Sequence, residues 1–334
     1  QAVENARADL ARLLSADPRE IVFTSGATES NNLALKGVCE FHPRRPCHFI
    51  TSVTEHKAVL DVMTWLASRG HDVTRLRPDR GGRITAAQVE AALREDTLLV
   101  SLMWVNNETG VCNDIPAIAA LTRARGVLLH VDAAQALGKI PLDLGRVPID
   151  LLSVSAHKVY GPKGCGALFV RRDPFVGVVP QMHGGGHERG LRSGTLATHQ
   201  IVGFGCAARL AAVRFEADHA HLVGLRRAFL DIIEDSRLAT VHGDAEHRVP
   251  GIINLSFAGV DAETLMASLP DLAISSGSAC NSATLEPSHV LVGMGVPRAA
   301  ALQAVRVSFG RANTLDEARG AARSLVQAAS RLGR

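Results

Sequence analysis

No stretch of the 334-residue chain approaches the roughly 18 uninterrupted apolar residues of a membrane span, and the opening Gln1-Ala-Val-Glu-Asn-Ala-Arg7 lacks the apolar core of a signal peptide. The expectation is a soluble, unsecreted, cytoplasmic protein with no membrane partner. The six cysteines (Cys39, Cys47, Cys112, Cys165, Cys206, Cys280) contain no C-x-x-C pair, which speaks against a zinc ribbon and a disulfide framework and suits a reducing compartment. Charge of one sign is scarce as well. Thirty-six Lys plus Arg against 33 Asp plus Glu leave a formal +3, too little for the basic stripe that backbone-driven nucleic-acid binding needs. There is no internal repeat and no low-complexity tract. What the chain does have is apolar material, 46% hydrophobic with 21% charged, enough for one large core or two ordinary ones.

Between residue 21 and about 170, short apolar runs alternate with amphipathic stretches: Ile21 to Phe23, His48 to Ile50, Leu98 to Trp104, Val127 to Val131, Leu151 to Val154 and Ala167 to Val170. That rhythm predicts an α/β domain with a mostly parallel sheet. A long Ala-rich helical pattern begins near Thr198, and beyond it the strand-like runs Ile252 to Phe257 and Val305 to Phe309 are sparser. The division expected is 1–208, a large α/β domain, and 209–334, a smaller α+β domain. The glycine-rich His183 to His187 reads as an exposed loop, and its two histidines, without acidic or cysteine partners, make a poor metal site.

Open α/β sheets bind ligands at the C-terminal ends of their strands, so the residues after each run carry the chemical information. After Phe23 comes Thr24-Ser-Gly-Ala-Thr28-Glu-Ser30, where Gly permits a turn and Thr28 can cap a helix whose free N–H groups would hold a phosphate; an ordinary capped helix fits too. It is neither a Walker A loop nor a G-x-G-x-x-G turn. Asp132 ends the run after Val131, and a carboxylate there wants a cation, either a structural Arg or Lys or a protonated cofactor nitrogen. Lys158, in Ser155-Ala-His157-Lys158, is either one more solvated surface lysine or an amine suited to a Schiff base. Cys280 stands among small residues in Ser275-Ser-Gly-Ser-Ala-Cys280, the setting of a mobile nucleophile, whereas Cys39 and Cys206 read as inert buried core.

These blocks, with Thr54-Glu-His56-Lys, Val105-Asn-Asn107-Glu, His130-Val-Asp132-Ala-Ala-Gln135 and His183-Gly-Gly-Gly-His187-Glu-Arg-Gly-Leu-Arg-Ser-Gly-Thr195, closely resemble the cysteine desulfurases of the IscS/NifS family. The similarity runs the length of the chain and looks more IscS-like than NifS-like. It implies the aspartate aminotransferase-like fold of pyridoxal 5′-phosphate (PLP) transferases and a class V homodimer. The implied activity converts L-cysteine to L-alanine through a Schiff base of PLP and a persulfide on Cys280, supplying sulfur for iron–sulfur cluster assembly and for tRNA thiolation. Carried over by position, the resemblance makes Lys158 the Schiff-base lysine, stacks His56 on the cofactor ring, sets Asp132 against the pyridine nitrogen and Gln135 against the ring hydroxyl. It assigns Ala27, Thr28, Ser155, His157 and, from a second subunit, Thr195 to the phosphate. Asn107 and Arg306 would hold the substrate carboxylate, the latter as a guanidinium fork. Iron–sulfur scaffold and sulfur-acceptor proteins are the implied partners; Cys280 is also where a transferred cluster would make contact, and no other metal site is expected.

Members of the resembled family usually carry an N-terminal segment with an Asp-x-x-Ala-Thr-Thr-Pro type motif near the substrate site and an extended C-terminal tail that helps dock a scaffold. Both are missing from this sequence, so the expectation from the resemblance is an incomplete site, with partner binding less secure than the chemistry. Ala156 and Cys165 depart from the usual family residues but are small. Two rival readings stay open at this point: a selenocysteine lyase-type PLP enzyme, and a truncated non-catalytic scaffold.

Overall fold

The computed structural model describes residues 1–42, 46–276 and 286–333. Its strands are β1 (Ile21–Thr24), β2 (His48–Ser52), β3 (Asp72–Leu76), β4 (Thr97–Met103), β5 (Leu128–Asp132), β6 (Leu151–Ser155), β7 (Gly166–Val170), β8 (Ala239–His242), β9 (Ile252–Phe257), β10 (Ser275–Ser276) and β11 (Ala304–Ser308). The helices are α1 (Ala2–Leu14), α2 (Ala27–Phe41), α3 (Lys57–Ser68), α4 (Ala86–Ala92), α5 (Ile115–Ala124), α6 (Thr198–Ser236), α7 (Ala262–Ala267), α8 (His289–Gly293), α9 (Arg298–Leu302) and α10 (Leu315–Leu332). The chain divides into two compact units. The first comprises 1–76, 84–105 and 113–215, the second 77–83, 106–112 and 216–334.

The first unit is built on a seven-stranded sheet of order β1-β7-β6-β5-β4-β2-β3. Strands β3, β2, β4, β5 and β6 are parallel, and β7 runs antiparallel to both its neighbours. This is the α/β class with a mostly parallel sheet that the alternating runs predict. Strands β4, β6 and β7 are buried along their whole length, as expected where helices cover a parallel sheet and each strand reads as a continuous apolar run. Strand β3 was not foreseen: an edge strand needs no such run, and Asp72–Leu76 alternates between exposed and half-buried positions. Helix α2 is a central helix, buried at Leu33, Ala34, Val38 and Cys39 against Val22, Leu151 and Leu168 of the sheet. A Cβ at its Gly37 would stand 2.7 Å from the carbonyl of Val179, whose own N–H bonds the Gly37 carbonyl at 3.0 Å.

The 39-residue α6 changes its buried face along its length. Ile201, Phe204, Ala208 and Ala211 are buried in its first part, at helical spacing. Cys206 falls on the opposite side of that stripe and is exposed, which corrects its reading as a buried core thiol; Cys39 is buried as expected.

The second unit has an antiparallel sheet of order β10-β11-β9-β8. Period-2 alternation gives it two unlike faces. Ile253, Leu255 and Phe257 of β9 with Val305 and Val307 of β11 pack on Leu225, Phe229 and Ile233 of α6 and on Ala318, Ala322, Leu325 and Ala329 of α10. The opposite face carries polar residues in one row across all four strands: His242, Asn254, Arg306 and Ser275 are successive register partners.

Candidate active site

The C-terminal strand ends of the first unit converge on a set of polar groups. Thr24 of β1 and Ser155 of β6 are both register partners of Gly166, at the start of β7 between them. A Cβ on Gly166 would lie 2.6 Å from the Cα of Gly26, so glycine lets the turn before α2 close onto the strand ends. Gly26 itself, at φ 155°, ψ 177°, caps α2 without a side chain, leaving the first N–H groups of a 15-residue helix without a capping side chain. Thr28 is therefore inside the helix, and its expected capping role is not seen: the helix begins at Ala27 because Gly26 supplies the turn.

Ser155 Oγ lies 2.9 Å from His157 Nδ1. Desolvation, with the charges of Lys158, Lys163 and Lys139, lowers the His157 pKa, so the imidazole is neutral in a locally positive field. Glu29, in the first turn of α2, is ion-paired to Arg192 at 2.7 Å, which neutralises the carboxylate nearest the helix N-terminus. A dipole-bearing helix end, a hydroxyl and a net positive surrounding are the chemistry of an anion site.

Asp132, 6% exposed at the end of β5, accepts from Asn31 Nδ2 at 2.8 Å and from the Ala134 N–H at 2.9 Å. Both donors are uncharged, so among the described residues it is not a structural Arg or Lys that holds it. Beside it, Glu55 is fully buried and accepts from the Met103 N–H at 2.9 Å; burial, with a smaller push from the Asp132 charge, raises its carboxyl well above the ordinary range. Burial thus favours the protonated form of Glu55. His56 caps α3, its Nδ1 accepting from the Ala58 N–H at 3.1 Å, which fixes the neutral ring as the Nε2–H tautomer. Gln135 Oε1 accepts from Lys139 Nζ. Lys158 is exposed on the short 3-10 turn Ala156–Val159 that follows β6, and Thr195 is exposed beyond the glycine-rich loop.

In the second unit, Arg306 Nη1 donates to the Asn107 carbonyl at 3.1 Å. Glu108, next in the chain, is 3% exposed and accepts from Ser288 Oγ. Burial, against that hydrogen bond and the Arg306 charge, pushes its carboxyl up to about 7. The unfolded chain releases this proton near pH 4.5, so the native state holds the extra proton between the two values. Its contribution to stability is complete below pH 4.5 and is lost as pH rises through 7, about 3 kcal/mol in all. Urea unfolding from pH 5 to 8 should therefore show wild-type stability falling relative to Glu108→Gln; parallel pH profiles would remove the assignment. Cys280 lies outside the described residues.

Sequence reasoning missed Asn31, Glu55 and Lys139. Asn31 alone left a signal, standing one helical turn after Ala27 on the face of α2 that meets the sheet. A buried His130, bridging Ser101 Oγ at 2.8 Å and Ser153 Oγ at 3.0 Å and held neutral by burial, braces the strands that carry Asp132.

Residues 1–319 match the class-V aminotransferase family over nearly the whole chain. The chain belongs to that family. Among curated relatives, it is 55% identical over 317 residues to the cysteine desulfurase IscS of Vibrio vulnificus strain YJ016, covering 95% of this chain and 78% of the relative. Among solved structures, it is similar to a NifS-like protein (TM-score 0.92, 35% identity, 99% of this chain and 88% of the other) and to DndA from Streptomyces lividans (TM-score 0.83, 44% identity, 92% and 88%). The cofactor of this class-V aminotransferase is PLP. The residues present suit it: a buried anion with uncharged donors answers a cationic ring nitrogen, and the α2 N-terminus beside Ser155 and His157 answers a phosphate.

Proposed function

We propose that this protein is a cysteine desulfurase that takes sulfur from L-cysteine and leaves L-alanine. The observation that carries the reading is Asp132, a buried carboxylate whose two donors are neutral, in a chain of this family. PLP would be held through Lys158 Nζ, with its phosphate on the Ala27 and Thr28 N–H groups, Ser155 and His157, its ring against His56, and its polar edges at Asp132 and Gln135. When bound, it supplies an electrophilic carbon and an electron sink.

The chain's own groups do the rest. Lys158 Nζ anchors the cofactor and moves the substrate Cα proton, and His56 Nε2–H serves as a proton donor. In the second unit, Asn107 and the Arg306 guanidinium hold the substrate carboxylate; Glu108, largely protonated below pH 7, does not compete for Arg306 there. Cys280, as thiolate, attacks the substrate sulfur: the new S–S bond forms on Cys280, the substrate Cβ–S bond breaks, and the protonated three-carbon fragment leaves as alanine. A homodimer in which Thr195 reaches the partner's phosphate site, a cytoplasmic setting, and onward transfer to iron–sulfur scaffold and other acceptor proteins complete the proposal. Among the described residues no helix is long and apolar enough to cross a membrane.

The test is release of alanine and sulfide from L-cysteine by the PLP-loaded chain in the presence of a thiol reductant. Equal amounts over many turnovers are expected, with Cys280→Ala forming no persulfide. A strong preference for L-selenocysteine would favour a lyase instead, and absence of alanine would favour a non-catalytic scaffold.

A further inference from the structure

Asn254 sits in the middle of β9, and its register partner on β11 is Arg306. Directly opposed residues of an antiparallel pair have Cα atoms about 4.5 to 5.5 Å apart and project from the same face. Asn254 is 0% exposed, yet neither its Oδ1 nor its Nδ2 has a hydrogen-bond partner among the described residues. The Nε of Arg306 and the Oδ1 of Asn107 are likewise buried and unsatisfied, while Arg306 Nη1 is engaged by the Asn107 carbonyl. Buried polar groups are nearly always paired, because an unpaired one forfeits its hydration with nothing in return. Leucine or valine would pack in the middle of β9 at lower cost. Four unsatisfied atoms on three neighbouring residues therefore mark a place where polar groups are kept for use.

The orphans are complementary. Arg306 Nε is a donor without an acceptor, and Asn254 Oδ1, on the directly opposed residue, is an acceptor without a donor. We infer that Asn254 is a positioning residue for Arg306: its side-chain carbonyl takes the Nε–H, fixes the guanidinium plane and leaves the terminal N–H groups for the α-carboxylate of the substrate. This rests on the carboxylate role of Arg306 given above. A guanidinium held by its inner nitrogen presents a two-pronged edge to a carboxylate, whereas an unheld one must be ordered at each binding event. The residue would therefore act on binding far more than on chemistry, and on substrates with a carboxylate far more than on those without.

The experiment compares Asn254→Leu, Asn254→Ala and Arg306→Ala with the wild-type holoenzyme. Leucine keeps asparagine's branched outline, with bulkier methyl ends, and removes the unsatisfied amide, so the melting temperature of Asn254→Leu should stay close to that of the wild type. The expected kinetic result is a roughly tenfold rise in KM for L-cysteine with kcat within about twofold, the signature of lost uniform binding. Inhibition by cysteamine, which lacks the carboxylate, should be unchanged. A KM that rises in Arg306→Ala but not in either Asn254 variant overturns this inference and leaves the carboxylate role of Arg306 standing. No KM change in Arg306→Ala overturns both, as does a wild-type chain that releases no alanine. Failure of both Asn254 variants to fold would assign the residue to the scaffold and overturn the inference as well.

Discussion

Lys158→Ala is expected to reduce alanine release from L-cysteine to background while leaving stability within about 0.5 kcal/mol of wild type. The two halves of this result have separate causes. The side chain is exposed on a short turn after β6 and takes no part in the core beneath it, where Ala156 and Val159 are the buried residues. Its removal therefore leaves no cavity in that core, and a loss of turnover in this variant is chemical. The same argument fails for Asp132, whose truncation would strand the Asn31 amide and the Ala134 N–H. If the amine is what the chemistry needs, a small exogenous primary amine such as methylamine should restore part of the activity of Lys158→Ala. A second readout is independent of turnover: the Lys158 charge helps hold the His157 pKa down, so His157 should titrate at higher pH in the variant. Wild-type rates in Lys158→Ala would remove the lysine from the mechanism.

The largest effect on stability is expected from Arg7→Ala, a loss of about 3 to 5 kcal/mol in urea unfolding. Arg7 on α1 is 3% exposed and meets Glu188 with two contacts of 2.7 Å, and Glu188 also accepts from the Phe23 N–H on β1 at 2.7 Å. Arg7 donates in turn to the Ile21 carbonyl and lies over the Phe23 ring. Removing the guanidinium strands a buried carboxylate, which costs far more than the pair contributes over an apolar replacement. The double variant Arg7→Met, Glu188→Gln should accordingly recover much of the loss, since glutamine still accepts from Phe23 and carries no charge. Equal stability of the single and double variants would contradict this account. Glu188 and Arg189 have φ of 51° and 57°, left-handed values that cost L-residues roughly 1 to 2 kcal/mol each. The buried ion pair offsets that strain and fixes the end of the glycine-rich loop, so Arg7 bears on the segment leading to Thr195 from outside the site.

The pattern that names the fold class is local. Strands covered by helices on a sheet are largely apolar, so β1, β2, β4, β5, β6 and β7, all of them almost wholly buried, each announce themselves as short runs. The partly exposed edge strands β3 and β8 carry no such requirement and leave no run to read. The long helix α6 was legible from its start, but which of its residues face inward was not: Cys206 is apolar enough to read as core and lies outside the buried stripe only by its helical phase.

The chemistry divides in the same way. Asp132, Lys158, His56, Ser155 and His157 could be proposed from the sequence because strand ends of an open sheet are where such groups serve a ligand, and because seven blocks in order resemble one family. What the sequence determined by itself is therefore the class of protein, together with a list of candidate groups for the site. Only the tertiary structure decided that Asp132 is held by neutral donors, that burial raises the Glu55 carboxyl beside it, that Arg7 and Glu188 meet across 181 positions of sequence, and that Asn254 stands opposite Arg306. Each of these depends on the distance between groups far apart in the chain and on the water excluded from around them, and neither quantity exists until the sheets have formed.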